Sequence, residues 1–311
     1  MKNRDVIVLL GPTSVGKTAL AIKIARVLDT EIISADSMQI YRGMDIGTAK
    51  PSKEELSMVR HHMIDIIEPS EGYSVGRFLD QAVKTIEALH KRGRIPLVVG
   101  GTGLYIKALT RGLFSAPEAD EDLRRELKMK EKQCPGYLYK MLCELDPEKA
   151  ASINPNDLRR IIRALEVYFK TARPISELQK ELTEPLPYSF TKIGLTRDRK
   201  ELYRMIEKRV DEMFERGLVQ EVQRLLEKHP SETPLQAIGY KEVILYLEGK
   251  KSLDEVISMV KRATKRYAKR QFTWFKKEEA VQWVDITGMF SVEEIYEKVL
   301  KETDLKRFIE A

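Results

Sequence analysis

The sequence predicts an α/β fold: a P-loop core with a parallel sheet flanked by helices, plus an all-helical insertion domain. Three observations predict it. The apolar run Val6-Ile7-Val8-Leu9-Leu10 ends in GPTSVGKT, Gly11 to Thr18, and the helix-favouring run Ala19 to Ala25 follows at once; strand, glycine turn and helix in that order make a phosphate loop. Two further short apolar runs, at 31–35 and 95–99, end in Asp36 and in Gly100-Gly101 and alternate with helical periodicity, as in a parallel sheet. From about Glu118 to Pro187 charges dominate, β-branched runs vanish and helical periodicity continues. The expected division is 1–117 with 188–311 as the core and 118–187 as the insertion.

In the first element, Gly11, Pro12, Thr13, Ser14, Val15 and Gly16 form the cradle, and the two glycines let backbone N–H groups turn inward beside the positive end of the new helix. Lys17 reaches a terminal phosphate of a bound di- or triphosphate, and the Thr18 hydroxyl suits a magnesium ion bridging two phosphates. Whether those phosphates belong to a nucleotide such as ATP stays open. The second strand delivers Asp36-Ser37-Met38-Gln39 to the carboxyl edge of the sheet, where ligands of open α/β folds bind. An isolated aspartate there serves equally as a turn cap. The glycine-rich segment 41–51 reads as a loop able to cover a ligand. His61 and His62 face opposite ways on a strand and lack further ligands nearby, which argues against zinc.

A helix is expected from Val75 to about Arg92, with Phe78, Ala82, Ile86 and Leu89 on its buried stripe and Gly93 as its stop. The strand after it ends in Gly100-Gly101-Thr102, either a binding loop with a hydroxyl to offer or a tight packing turn. Many nucleotide-hydrolysing P-loop proteins place a magnesium-binding aspartate at such a strand end, and two glycines stand here. In the insertion, the helix Asp157 to Lys170 puts Leu158, Ile161, Ile162, Leu165, Tyr168 and Phe169 on its apolar face and leaves Arg159, Arg160 and Arg163 outside, to grip phosphates or simply to be solvated. After the short strand 193–195, a helix from Lys200 to Arg216 turns Leu202, Ile206, Val210 and Met213 inward. Arg209 lies beside that stripe, either snorkelling outward or reaching back to the phosphates.

The stretch Lys261 to Lys277 carries eight Lys or Arg residues and no acid. Lys261, Lys265 and Lys269 form one row, Arg262, Arg266 and Arg270 a second, with Tyr267, Phe272, Trp274 and Phe275 interleaved. RNA backbone explains this face better than a membrane, because the aromatics do not build a broad apolar side. The chain's 311 residues and formal charge of +6 suit a polyanionic partner. No apolar run is long enough to span a membrane and no signal peptide pattern opens the chain, so a cytoplasmic protein is expected, with a monomer as the default since the sequence does not fix the oligomeric state. Cys134 and Cys143 are too few for a disulfide framework and are expected as reduced thiols packed in helices.

Taken together, GPTSVGKT, DSMQIYRGMDIGTAKP (36–51), HHMIDI (61–66), GGTGLY (100–105), NDLRRIIRALEVY (156–168), IGYKE (238–242) and TKRYAKRQFTWF (264–275) closely resemble the tRNA dimethylallyltransferase family, also called tRNA isopentenyltransferases. The resemblance runs from about Val6 to Trp283 and implies transfer of a dimethylallyl group from dimethylallyl diphosphate to the N6 amine of adenosine 37 in tRNA. It implies that Asp36 is the base, that Thr13 and Arg209 contact the diphosphate, and that Asp36, Ser37, Met38 and Gln39 line the tRNA edge. It further implies tRNA contacts at Thr102, at Arg124 and along Arg159, Arg160, Ile161, Ile162 and Arg163, with the anticodon stem-loop on the insertion. Lys265, Arg266, Lys269 and Arg270 of the basic helix would add phosphate contacts. The cysteines and histidines of the zinc finger common in eukaryotic members are absent, so the bacterial form is expected. The main rival is a P-loop kinase for a small molecule or nucleotide, weakened by the missing acid after Val99; a third class is an RNA-binding NTPase switch in which the basic helix binds RNA and nucleotide controls it.

Overall fold

The computed structural model describes residues 4–309, which fall into two compact units: residues up to Ala108 together with Pro187 onward, and Leu109–Leu186. The second unit thus begins at Leu109, upstream of the charge-rich boundary near Glu118, because Phe114 already belongs to its core.

The first unit is built on six parallel strands, β1 (Asp5–Leu10), β2 (Ile32–Ala35), β3 (His61–His62), β4 (Leu97–Gly100), β5 (Ser189–Thr196) and β6 (Val281–Asp285), in the order β3-β2-β4-β1-β5-β6. Val6 to Leu10 are wholly buried, which is why β1 reads as a continuous apolar run instead of an alternating one. The helix Val75–Lys91 buries Phe78, Ala82, Ile86 and Leu89, the expected stripe, and its Ser74 N-cap accepts from the Arg77 amide. Helix Arg199–Glu215 likewise buries Leu202, Ile206 and Val210, with Met213 partly buried. Because β4 sits between β2 and β1, the carboxyl ends of these three strands meet at a switch in strand order, the place where such sheets hold ligands. His62 donates to or accepts from Glu31, which also pairs with Arg92. Burial opposes the Glu31 charge, yet the Arg92 and His62 hydrogen bonds dominate and hold its pKa at about 2. The HH pair therefore serves β3, and among the described residues no group of three or more His, Cys, Asp or Glu side chains is placed to hold a metal.

The second unit is helical, with Leu127, Leu138, Leu142, Ile161, Leu165 and Val167 in its core. Helix Leu158–Thr171 differs from its sequence reading at both ends, since Leu158 and Phe169 are exposed while Glu166 is fully buried. Glu166 accepts from Arg124 through both carboxylate oxygens at 2.9 and 3.0 Å, from the Asp120 amide at 2.7 Å and from Arg163. Burial disfavours its charge, but those bonds outweigh burial and hold its pKa below the usual carboxylate range. Stability from this group is therefore present at neutral pH and is lost as pH falls through that lowered value. Glu166→Ala is expected to destabilise the unit by roughly 2–3 kcal/mol, short of the 3–5 typical of a fully buried pair because both arginines stay partly exposed; denaturant unfolding of the purified variant checks this. Cys134 and Cys143 are exposed and unbridged, not packed as expected. No helix among the described residues is long and apolar enough to cross a membrane.

Candidate active site

The phosphate loop follows β1. Gly11 (φ 152°) passes so close to β5 that a Cβ would lie 2.8 Å from the Leu195 carbonyl oxygen, and Gly16 (φ 109°) caps the helix Lys17–Val27. Ser14 is held in the left-handed region at φ 63°, an uncommon state for a residue with a Cβ and one the surrounding loop must hold in place. Arg197 helps do so by donating from Nε to the Val15 carbonyl at 3.1 Å while it pairs with Glu201.

Lys17 curls over the cradle and donates from Nζ to the Gly11 and Pro12 carbonyls at 2.9 and 2.8 Å. Burial, followed by the Arg209 charge, lowers its pKa to about 7, with Asp36 pulling the other way. Arg209, from helix Arg199–Glu215, reaches back to the loop instead of snorkelling: Nη1 lies 3.5 Å from Thr13 Oγ1 and 3.4 Å from Ser14 Oγ, and Nη2 lies 3.5 Å from the Ala49 carbonyl. These contacts are at the long limit for hydrogen bonds, so the guanidinium is poised over the cradle without being saturated. Its helix is fastened to helix Leu253–Phe275 by the pairs Lys261–Asp211 and Lys265–Glu207.

Asp36 follows β2. Its Oδ1 accepts from the Met38 amide at 2.8 Å and the Gln39 amide at 3.3 Å, and among the described residues no hydrogen bond reaches Oδ2. The turn cap and the ligand readings are thus compatible, one oxygen for each. Thr102, after β4, accepts from the Ser37 amide at 3.1 Å and donates its own amide to the Ala35 carbonyl at 3.2 Å, joining the two strand ends. Gly100 is pressed against Ala35 so closely that a Cβ would overlap the Ala35 backbone. No aspartate fits there, which gives the missing acid a steric cause.

Gln271 is a site residue that the sequence did not disclose. Its Oε1 accepts from the Thr13 amide and its Nε2 donates to the Gly101 carbonyl, both at 2.9 Å, so one buried amide side chain ties the phosphate loop to the end of β4. Tyr267 sits beside it; burial and then the Asp36 charge push its phenol pKa up, against hydrogen bonds with Thr102 and Gln271. Both lie in the quoted stretch 264–275, but a row of cations hid the inward-facing edge of the helix.

The structure divides the expected tRNA residues. In the first unit Arg266, Lys269 and Arg270 are exposed, whereas Lys265 is paired with Glu207 and lies over the Tyr203 ring. Met38 packs against the core. In the second unit Arg159 and Arg160 are exposed. Arg163 is not outside as expected, because Glu166 and the Pro117 carbonyl hold it, and Arg124 is held by the same carboxylate. Ile161 and Ile162 are buried in the core, so their side chains are closed to RNA; their place in the pattern is to pack the helix that carries the arginines.

A sequence model of the IPP transferase family matches residues 39–278, and one of isopentenyl transferases matches residues 4–73. The chain is 54% identical over 303 residues to a tRNA dimethylallyltransferase of Thermodesulfovibrio yellowstonii, covering 95% of this chain and 96% of that one. It is 52% identical over 293 residues to the Thermotoga maritima protein of the same name, covering 94% and 95%. Among solved structures, the tRNA isopentenylpyrophosphate transferase of Bacillus halodurans superposes with a TM-score of 0.71 at 42% identity over 99% of both chains. A eukaryotic dimethylallyltransferase caught acting on tRNA superposes at 0.80 with 31% identity, over 98% of this chain and 78% of that one. A family match across most of the chain, relatives above 50% identity and the shared fold agree with the cradle and carboxylate found here: the chain belongs to the IPP transferase family, the tRNA dimethylallyltransferases.

Proposed function

We propose that this protein transfers a dimethylallyl group from dimethylallyl diphosphate to the N6 amine of adenosine 37 in tRNA, releasing pyrophosphate. One observation carries the reading: a cationic cradle and a carboxylate stand together at the carboxyl edge of the sheet, near enough that the Asp36 charge acts on both Lys17 and Arg209. The carbon–oxygen bond to the diphosphate breaks, the bond from carbon to the amine forms, and the amine's proton passes to Asp36 Oδ2. Charge gathers on the departing pyrophosphate, where Lys17, Arg209, Thr13 and the loop amides meet it. The adenine amine is a weak nucleophile because its lone pair is shared with the ring, so a base that takes the proton as the new bond forms is useful. The base leaves its stack to reach Asp36, which costs less in an anticodon loop than in a duplex.

Magnesium suits this donor set: the Thr18 hydroxyl offers one oxygen, and magnesium keeps most of its shell as waters and substrate phosphate oxygens, so no carboxylate cage is required. When bound it would neutralise pyrophosphate charge. We further propose a cytoplasmic monomer: the substrate is tRNA, and a single chain carries every group named.

The assay is direct. Label from dimethylallyl diphosphate is expected to pass to unmodified tRNA and none from ATP to any acceptor; the reverse pattern would return the kinase reading. We assign the anticodon stem-loop to the Leu109–Leu186 unit through Arg159 and Arg160, with Arg266, Lys269 and Arg270 adding backbone contacts. Replacing Arg266 and Arg270 with Ala is expected to flatten the slope of log affinity against log salt by about 1.4–1.8, or 0.7–0.9 per lost phosphate contact. Lys265→Ala, whose charge is already paired with Glu207, is expected to leave the slope unchanged; equal slopes for both variants would remove the helix from the RNA surface.

A further inference from the structure

The geometry points to Glu221 and Tyr240 as positioning residues for Arg209, acting through the 45–50 segment. Glu221, on helix Leu218–Glu227, is 3% exposed and spends both carboxylate oxygens on that segment. Its Oε2 accepts from the Asp45 and Ile46 amides at 3.0 and 2.7 Å, and its Oε1 accepts from the Gly47 amide at 3.0 Å and from the Tyr240 hydroxyl at 2.6 Å. Three successive backbone N–H groups turned to one point form an anion-binding concavity. Here the chain's own carboxylate fills it, and hydrogen bonds to a charged acceptor are about twice as strong as neutral ones.

Tyr240 completes the seat. It is fully buried, and its ring lies so close to Gly47 that a Cβ there would overlap it, so the segment lies flush against the ring. Its far end is locked as well: the Lys50 ammonium is buried between Asp45, Asp65 and the Tyr41 carbonyl, and the Thr48 hydroxyl donates to the Met44 carbonyl at 2.6 Å. Between these anchors Ala49 adopts the left-handed conformation at φ 50°. That turn aims its carbonyl at two site residues, Gln39 through Nε2 at 3.3 Å and Arg209 through Nη2 at 3.5 Å. One backbone oxygen thus links the arginine over the diphosphate cradle to the edge that follows Asp36. Neither Glu221 nor Tyr240 hydrogen-bonds to Arg209; they set where Ala49 presents its carbonyl, and that carbonyl is one of the three groups that orient the guanidinium, with the Thr13 and Ser14 hydroxyls.

The inference rests on Arg209 serving the diphosphate, and a double-mutant cycle separates the two claims. Glu221→Gln keeps the shape but sets an NH2 group against backbone donors, and Tyr240→Phe removes only the hydroxyl. Steady-state kinetics with dimethylallyl diphosphate and tRNA, together with thermal melting, are measured for each in the native and Arg209→Ala backgrounds. Glu221→Gln is expected to lower kcat/KM for dimethylallyl diphosphate about tenfold and Tyr240→Phe about threefold. In the Arg209→Ala background both losses are expected to shrink below about twofold, while the Tm shift of Glu221→Gln stays the same. Equal kinetic losses in the two backgrounds, or none in the native one, would make the pair a structural anchor and overturn the inference; Tyr240→Phe decides the matter if Glu221→Gln does not fold. An Arg209→Ala protein with native dimethylallyl diphosphate kinetics would instead bring down the Arg209 assignment itself, and the inference with it.

Discussion

Asp36→Asn is expected to lower turnover on unmodified tRNA by about 10²–10⁴-fold, the range for loss of a general base, while tRNA affinity stays within about twofold. The substitution is close to isosteric, and the oxygen that accepts from the Met38 and Gln39 amides survives in the amide, so the turn after β2 keeps its form. What is lost is the second oxygen's capacity to hold a proton. Single-turnover transfer of labelled dimethylallyl groups, run beside a tRNA binding titration, separates the two quantities. A variant with native turnover would remove Asp36 from the chemistry and reduce it to the cap of its turn.

Lys17→Ala follows, with an expected loss of about 10²–10³ in kcat, comparable to removing one preorganised group that stabilises transition-state charge. A pH dependence accompanies it. In the free protein burial and Arg209 hold the Lys17 pKa near 7, so above that pH the amine is mostly neutral. A diphosphate beside it favours the charged form and raises the value, so binding above pH 7 takes up a proton and affinity weakens as pH climbs from about 7 towards the lysine reference value of about 10.4. Calorimetry of pyrophosphate binding in buffers of different ionisation enthalpy measures that uptake. Lys17→Arg, which stays protonated throughout, is expected to reduce it. The same uptake in wild type and Lys17→Arg would assign the proton to the ligand alone.

Local signals made the two ends of the site legible. A strand that must be buried on both faces is apolar throughout, and a loop that must turn its amides inward needs glycine at set places, so Val6 to Thr18 announces itself within a single stretch of chain. Stripes such as Phe78, Ala82, Ile86 and Leu89 are equally local, since helix geometry alone puts them on one face. Periodicity could not show that Glu166 would be buried at 0% exposure among cations, because a carboxylate in an amphipathic helix is read as solvated until partners from another helix arrive. That partnership drew Arg124 and Arg163 inward and made the run 159–163 less uniform than it looked. The basic helix deceived in a similar way: its cation rows were real, but Lys261 and Lys265 point to acids fifty and more residues away in sequence, and Gln271, on the buried side of the same helix, is the amide that clamps Thr13.

By itself, then, the sequence determined the strand–loop–helix cradle, the carboxylate at the end of the next strand, the helical character of the insertion and the family to which they belong, because each depends on residues within a few turns of one another. Only the tertiary structure decided which arginines are exposed, which oxygen of Asp36 the turn occupies, why no acid stands at Gly100 and how Glu221 grips 45–47. Those outcomes depend on desolvation and on hydrogen-bond partners supplied from distant parts of the chain, and the chain acquires both only on folding.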